Sequence, residues 1–165
     1  MTEKSHLILK NIVNHLLSQN NDNIWGRYKL RTYRKLQANF EAEKYLYTDV
    51  DKCSISTFVR VCISNCNLDI ERGRYSKLPV EQRICRLCSS EVEDEFHFII
   101  HCPKLSAYRV DLFESLSLVI PSFPDMSEIE KFEYILSSND LDICKICILG
   151  VKKMYDLNQT LKQSL

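Results

Sequence analysis

Cys85-Arg86-Leu87-Cys88, then Glu91-Val92-Glu93-Asp94-Glu95-Phe96-His97, then His101-Cys102-Pro103: this stretch, residues 83–103, decides how the rest of the chain is read. Its spacing is Cys85-x2-Cys88-x8-His97-x4-Cys102. A Cys-x2-Cys turn lets two sulfurs reach one ion, and a histidine and a cysteine that return within 18 residues complete a tetrahedron of soft and borderline donors. The ion that suits this set is Zn²⁺. Four protein ligands leave no position for water or substrate, so one structural Zn²⁺ is expected at Cys85, Cys88, His97 and Cys102, with no catalytic centre. The competing reading makes these residues ordinary buried cysteines of a helical core. The charged neighbours Arg83, Arg86, Glu91, Glu93, Asp94 and Glu95 speak against a core. His101 lies next to Cys102, so both are not expected on one tetrahedral ion; His97 and His101 stand at i, i+4 and could share a helical face, with His97 favoured as the ligand because His-x4-Cys is a workable second pair, which leaves His101 at the surface or behind a ligand. The carboxylates Glu93, Asp94 and Glu95 read as a solvated turn or helix start, with Asp94 a candidate to accept the second N–H of the ligand histidine.

Outside this stretch the pattern is helical. The chain has 165 residues, 45% of them hydrophobic and 27% charged, and only 3 Gly and 4 Pro, which argues against a turn-rich β-sandwich. Apolar residues recur at helical spacing over 7–17, 25–40 and 53–66. The polar run Gln19 to Asn23 reads as a linker, and Leu68–Pro79 as a basic connector without periodicity. Pro103 suits the first position of a following helix. Ser127-x-x-Glu130 is a capping box, and a last helix is expected after Asp140. The expected fold is mainly α: a small helical domain with one zinc-stabilised knuckle or finger and a short hairpin at Cys85–Cys88. Three segments follow: an N-terminal helix and linker (1–23), a basic helical region that contains the metal motif (24–113), and a helical C-terminal tail (114–165). Cys62, Cys66, Cys144 and Cys147 fall on apolar helical faces and are expected in the core.

Formal net charge is zero, but residues 1–110 carry 17 Lys/Arg against 13 Asp/Glu, and the remainder carries 5 against 9. The excess is gathered on one face of the 25–40 helix (Arg27, Arg31, Arg34, Lys35) and around the cysteines (Arg72, Arg74, Lys77, Arg83, Arg86), with Tyr28 and Tyr75 among them. The start of the chain has no h-region or small-residue cleavage site, and no stretch reaches the ~18 apolar residues of a membrane span. An intracellular location, cytoplasmic or nuclear, is therefore expected, without a membrane partner. Reducing conditions there disfavour disulfides among the 8 cysteines.

The blocks Leu30-Arg31-Thr32-Tyr33-Arg34-Lys35, Leu68-Asp69-Ile70-Glu71-Arg72-Gly73-Arg74-Tyr75, Pro79-x-x-x-Arg83-x-Cys85-x-x-Cys88 and Val92-Glu93-Asp94-Glu95-x-His97-Phe98-x-x-x-Cys102-Pro103 together resemble a known family. It is the zinc-binding region found C-terminal to the reverse transcriptase domain in non-LTR retrotransposon polyproteins. The resemblance covers about 28–113. It implies zinc at Cys85, Cys88, His97 and Cys102 and a nucleic-acid-handling role beside a polymerase. No Tyr-x-Asp-Asp carboxylate motif and no endonuclease constellation occurs in the chain, so enzymatic activity is not expected of it. With the basic residues, the resemblance implies contact with RNA or single-stranded DNA. Two other readings stay open. One is a scaffold that braces a reverse transcriptase domain through apolar tail residues (Ile129, Phe132, Ile135, Ile143, Val151). The other is a non-functional remnant of a retroelement.

Overall fold

The computed structural model describes Thr32 and residues 43–165. Apart from Thr32, the expected helices over 7–17 and 25–40, the linker between them and the basic stripe Arg27, Arg31, Arg34 and Lys35 lie outside the described residues. Among the described residues five α-helices follow in chain order: α1 (Lys52–Cys62), α2 (Asp69–Tyr75), α3 (Ser106–Val119), α4 (Glu128–Ser137) and α5 (Leu141–Gln163). Among the described residues there is no strand, only one isolated antiparallel bridge between Ile84 and Val92. The molecule is therefore mainly helical, as expected, but one bridge stands where a hairpin was anticipated. No described helix is long and apolar enough to cross a membrane.

The longest element organises the others. The Asp140 carboxylate opens α5 by accepting from the N–H groups of Asp142 and Ile143, at 2.9 and 3.0 Å. From there Cys144, Cys147, Ile148, Val151 and Met154 form a buried stripe at helical spacing. Against this stripe pack α1, α3, α4 and the short 3₁₀ turn Lys44–Tyr47. Phe58 and Val61 of α1 and Leu112 and Leu116 of α3 fill the space. The C-terminal segment is thus the centre of the fold, and the segment boundary expected after 113 falls inside α3. Phe132, Ile135 and Val151, offered above as a docking surface, are buried in this core, while Ile129 is exposed. Cys62, Cys66, Cys144 and Cys147 are all buried, in line with a packing role.

Two helix ends depart from the sequence reading. The helix expected to run to Cys66 stops at Cys62, where the N–H of Asn65 reaches the carbonyl of Arg60 (2.8 Å) and that of Ser64 reaches Val61 (3.1 Å). This pair of bonds is a Schellman motif, with Ser64 in the left-handed conformation (φ 55°). The Leu68–Pro79 stretch is not a connector: it forms α2, which ends the same way. Leu78 N–H bonds to Gly73 O (2.8 Å), Lys77 N–H to Arg74 O (3.2 Å), and Lys77 has φ 57°. Neither end carries the glycine that ordinarily marks such a turn.

Arg83 lies flat against α2. Its guanidinium donates through Nε and Nη2 to the carbonyl of Leu78 (3.0 and 2.8 Å) and through Nη1 to that of Ile70 (3.0 Å). A Cβ on Gly73 would sit 2.4 Å from Arg83 Cγ, so this glycine exists for a close approach. In an open helix, Gly→Ala stabilises by ~0.5–1 kcal/mol. Gly73→Ala is expected to do the reverse, a loss of ~1–3 kcal/mol from overpacking, read by urea denaturation.

Candidate metal centre

The metal motif sits between α2 and α3. The Ile84–Val92 bridge brings the chain back on itself, with Cys85 N–H on Glu91 O (2.8 Å) and Glu93 N–H on Arg83 O (3.1 Å). Inside the loop, Ser89 N–H bonds to Cys85 O at 2.7 Å and Ser89 takes φ 56°. The turn is tight enough for the N–H of Cys88 to face the Cys85 sulfur. Asp94 then starts a helical turn, its Oδ1 accepting from His97 N–H at 2.8 Å. That turn widens into a π-helix over His97–His101, closed by Cys102 N–H on His97 O at 2.8 Å. In an α-helix a residue five further along stands about 140° away around the axis. The wider π-turn brings Cys102 back over His97, so both side chains point the same way.

The result is a convergence of the four expected ligands. One donor atom from each of Cys85, Cys88, His97 and Cys102 lies within 4.8 Å of every other. Cys85 Sγ is 3.9 Å from Cys102 Sγ, and Cys88 Sγ is 3.3 Å from His97 Nε2. A tetrahedral Zn²⁺ with Zn–S near 2.3 Å and Zn–N near 2.0–2.1 Å places neighbouring donors about 3.5–3.8 Å apart. The donor set therefore fits a divalent ion of that size, with Cys85, His97 and Cys102 buried and Cys88 half-buried.

The donors also share hydrogen bonds with one another. The Cys85 thiol, hydrogen-bonded to Cys102 and buried, is pushed up to about 12, while the same bond draws the Cys102 thiol down. Burial pulls the His97 ring down, but its bonds to Cys85 and Glu91 outweigh this and lift it to about 9. A bound cation would take the place of these protons.

Behind the donors stands a residue that the spacing did not reveal. Glu91 Oε2 is 3.1 Å from His97 Nδ1 and 3.0 Å from His101 Nδ1. With Nε2 turned to the metal position, the Nδ1–H of His97 donates to Glu91, the carboxylate–histidine arrangement that fixes a ligand ring. His101 binds Glu91 on one side and Glu128 (3.2 Å) on the other, and Glu91, His97 and His101 form a second group of donors that could hold a metal ion. The role anticipated for Asp94 thus belongs to Glu91, because Asp94 is spent on the His97 backbone. No pattern rule places a carboxylate six residues before a ligand histidine, and the contact arises from the fold-back of the loop.

The acidic run is not a solvated turn. Glu93 is 0% exposed and Glu95 is 1%. Glu93 accepts from Asp69 N–H (2.6 Å) and Asn158 Nδ2 (2.8 Å) and pairs with Lys162. Glu95 accepts from the Thr32 hydroxyl (3.1 Å) and faces the Cys66 thiol (3.8 Å).

The basic residues divide. Arg72, Lys77 and Arg86 are exposed and Arg74 partly so, with Arg74 Nε on Glu71 and Arg86 Nε on Asp69, both at 2.9 Å. Arg83 does not belong with them. It is 8% exposed and its guanidinium is committed to main-chain carbonyls, so it serves the fold. Arg27, Arg31, Arg34 and Lys35 lie outside the described residues.

Glu91→Gln is expected to weaken metal affinity about 10–100-fold, with His101→Ala the milder of the two, as read by competition with a chromophoric chelator. Compared with protein-family models, curated proteins and solved structures, the chain gives no match, so a functional reading rests on the donors and their surroundings.

Proposed function

We propose that this chain is a non-catalytic module built around one structural Zn²⁺ held by Cys85, Cys88, His97 and Cys102, and that it contacts nucleic acid in the manner of the retrotransposon region it resembles. The observation that carries the zinc reading is the mutual approach of four soft or borderline donors, largely buried, from two separate pieces of chain. All four positions of a tetrahedron are filled by protein, so the ion would supply folding energy and no reactive site, of order 10 kcal/mol in comparable small sites. Elemental analysis of the tag-free protein tests this. One Zn per chain in the wild type, lost in Cys88→Ser, is the expected result; a folded wild type free of metal overturns the reading.

The nucleic-acid reading draws on the resemblance and on Arg72, Arg74, Lys77 and Arg86, which stand on α2, on the turn that ends it and on the neighbouring knuckle. Such residues would meet phosphates, giving an affinity that depends on salt and little on sequence. The alternative of a scaffold for a reverse transcriptase domain keeps exposed apolar residues such as Leu118 and Ile129 but not the buried ones first considered for it. Binding of single-stranded RNA or DNA at low ionic strength, falling linearly in log Kd against log salt, is the expected outcome. No shift of either at low salt removes the nucleic-acid reading and leaves the scaffold.

A further inference from the structure

Tyr75 closes α2 and is 69% exposed. An aromatic ring is ordinarily held by the apolar area it buries. This one is held by a cation: the guanidinium carbon of Arg74 lies 4.3 Å from the ring centroid. Arg74 is itself fixed by Glu71, whose carboxylate is 4% exposed and 2.9 Å from Arg74 Nε. The chain buried carboxylate, guanidinium, ring thus sets the ring's direction before any partner arrives. With one face against Arg74, an exposure this large leaves the opposite face open to solvent. Two further cations lie close to it in the chain. Arg72 keeps a half-exposed side chain, 4.0 Å from Asp69, and Lys77 is exposed on the left-handed turn that ends α2.

We propose that Tyr75 is a stacking platform for an unpaired base, and that the partner of this basic surface is a single-stranded nucleic acid, not a duplex. The inference rests on the nucleic-acid reading above and names the chemistry of its ligand. In a duplex the faces of each base are covered by its neighbours, so a protruding ring has nothing to stack on. In a single strand every base offers a face, whatever its identity. A base on the open side of Tyr75 would sandwich the ring between itself and the Arg74 guanidinium. Arg72 and Lys77, three residues before and two after Tyr75 in the chain, are the exposed cations that would meet the neighbouring phosphates. RNA and single-stranded DNA share this chemistry, and only the 2′-hydroxyl separates them.

The test is fluorescence anisotropy of the full chain with five probes: oligo(dT), oligo(dU), oligo(U), an abasic strand with the same number of phosphates, and the oligo(dT)·oligo(dA) duplex. Oligo(dT) or oligo(U) is expected to bind at least about fivefold more tightly than the abasic strand and the duplex. Tyr75→Ala is expected to weaken the base-bearing single strands roughly 5- to 100-fold and to leave the abasic strand unchanged. Tyr75→Phe, which keeps the ring, should restore binding. Lys77→Gln, in contrast, should weaken all probes and lower the salt slope of the single strands by about 0.7. Equal binding of oligo(dT) and the abasic strand, or an unaffected Tyr75→Ala, overturns the stacking platform while the phosphate-based reading survives. Failure of every probe at low salt overturns both. Tighter binding of oligo(U) than of oligo(dU), each above the abasic strand, supports the platform and identifies RNA as the ligand.

Discussion

A carboxylate without access to water, Glu93, ties the metal motif to the rest of the molecule. Burying an isolated carboxylate costs several kcal/mol, so Glu93 is tolerable only with its partners in place. Those partners come from distant parts of the chain. The N–H of Asp69 belongs to the first turn of α2, and Asn158 and Lys162 belong to the last turns of α5. Lys162 is shared, lying 3.3 Å from Asp69, which in turn accepts from the backbone N–H and the Nε of Arg86. One network therefore fixes the position of Cys85, two residues from Arg83 and one from Arg86, relative to both helices. Burial raises the Glu93 carboxyl, and Lys162 works against that rise.

The same logic extends along the loop. Arg83 buries its guanidinium on the carbonyls of Leu78 and Ile70, and Glu95 buries its carboxylate on Thr32. Between α2 and the π-turn the chain thus uses hydrogen-bonded polar groups where a larger domain would use a sheet or an apolar layer. Such a layer is specific, since each member is satisfied only in one arrangement, but it yields little net stability. The apolar core along α5 supplies that stability from one side. On the other, four donors poised within reach of one cation are the natural complement of a loop with one bridge and no strand.

What the sequence revealed, and what it hid, follows from range. Local signals were legible. The capping box at Ser127 and Glu130 forms as expected, the helix after Asp140 starts at its cap, and the apolar stripe of α5 is buried along its length. The cysteine–histidine spacing named the four residues that converge. The helix stops at Cys62 and Tyr75 were illegible because serine and lysine, not glycine, take the left-handed position. Ser64 holds that conformation where its hydroxyl reaches Thr32, 32 residues away, a tertiary bond that no local rule contains. The burial of Glu93 and Glu95 was illegible for the same reason. Three acidic residues in a row look solvated until a lysine 69 residues later is known to face one of them.

Which of His101 and Cys102 comes to join Cys85, Cys88 and His97 shows how far one turn of helix decides which donors meet. Were the segment from His97 α-helical throughout, His97 and His101 would share a face at i, i+4, and Cys102 would stand well round the axis. A two-histidine, two-cysteine site would then be the natural product. The π-turn inverts this. By bonding Cys102 N–H to His97 O it inserts one residue per turn, which aligns Cys102 with His97 and swings His101 aside to Glu91 and Glu128. Pro103 follows at once and cannot donate an N–H to extend the turn, which fixes where it ends. The displaced histidine is still used, because its bond to Glu91 steadies the carboxylate that orients His97. A single extra residue in the helix thus brings Cys102 into the group with Cys85, Cys88 and His97 and leaves His101 sharing Glu91 with His97.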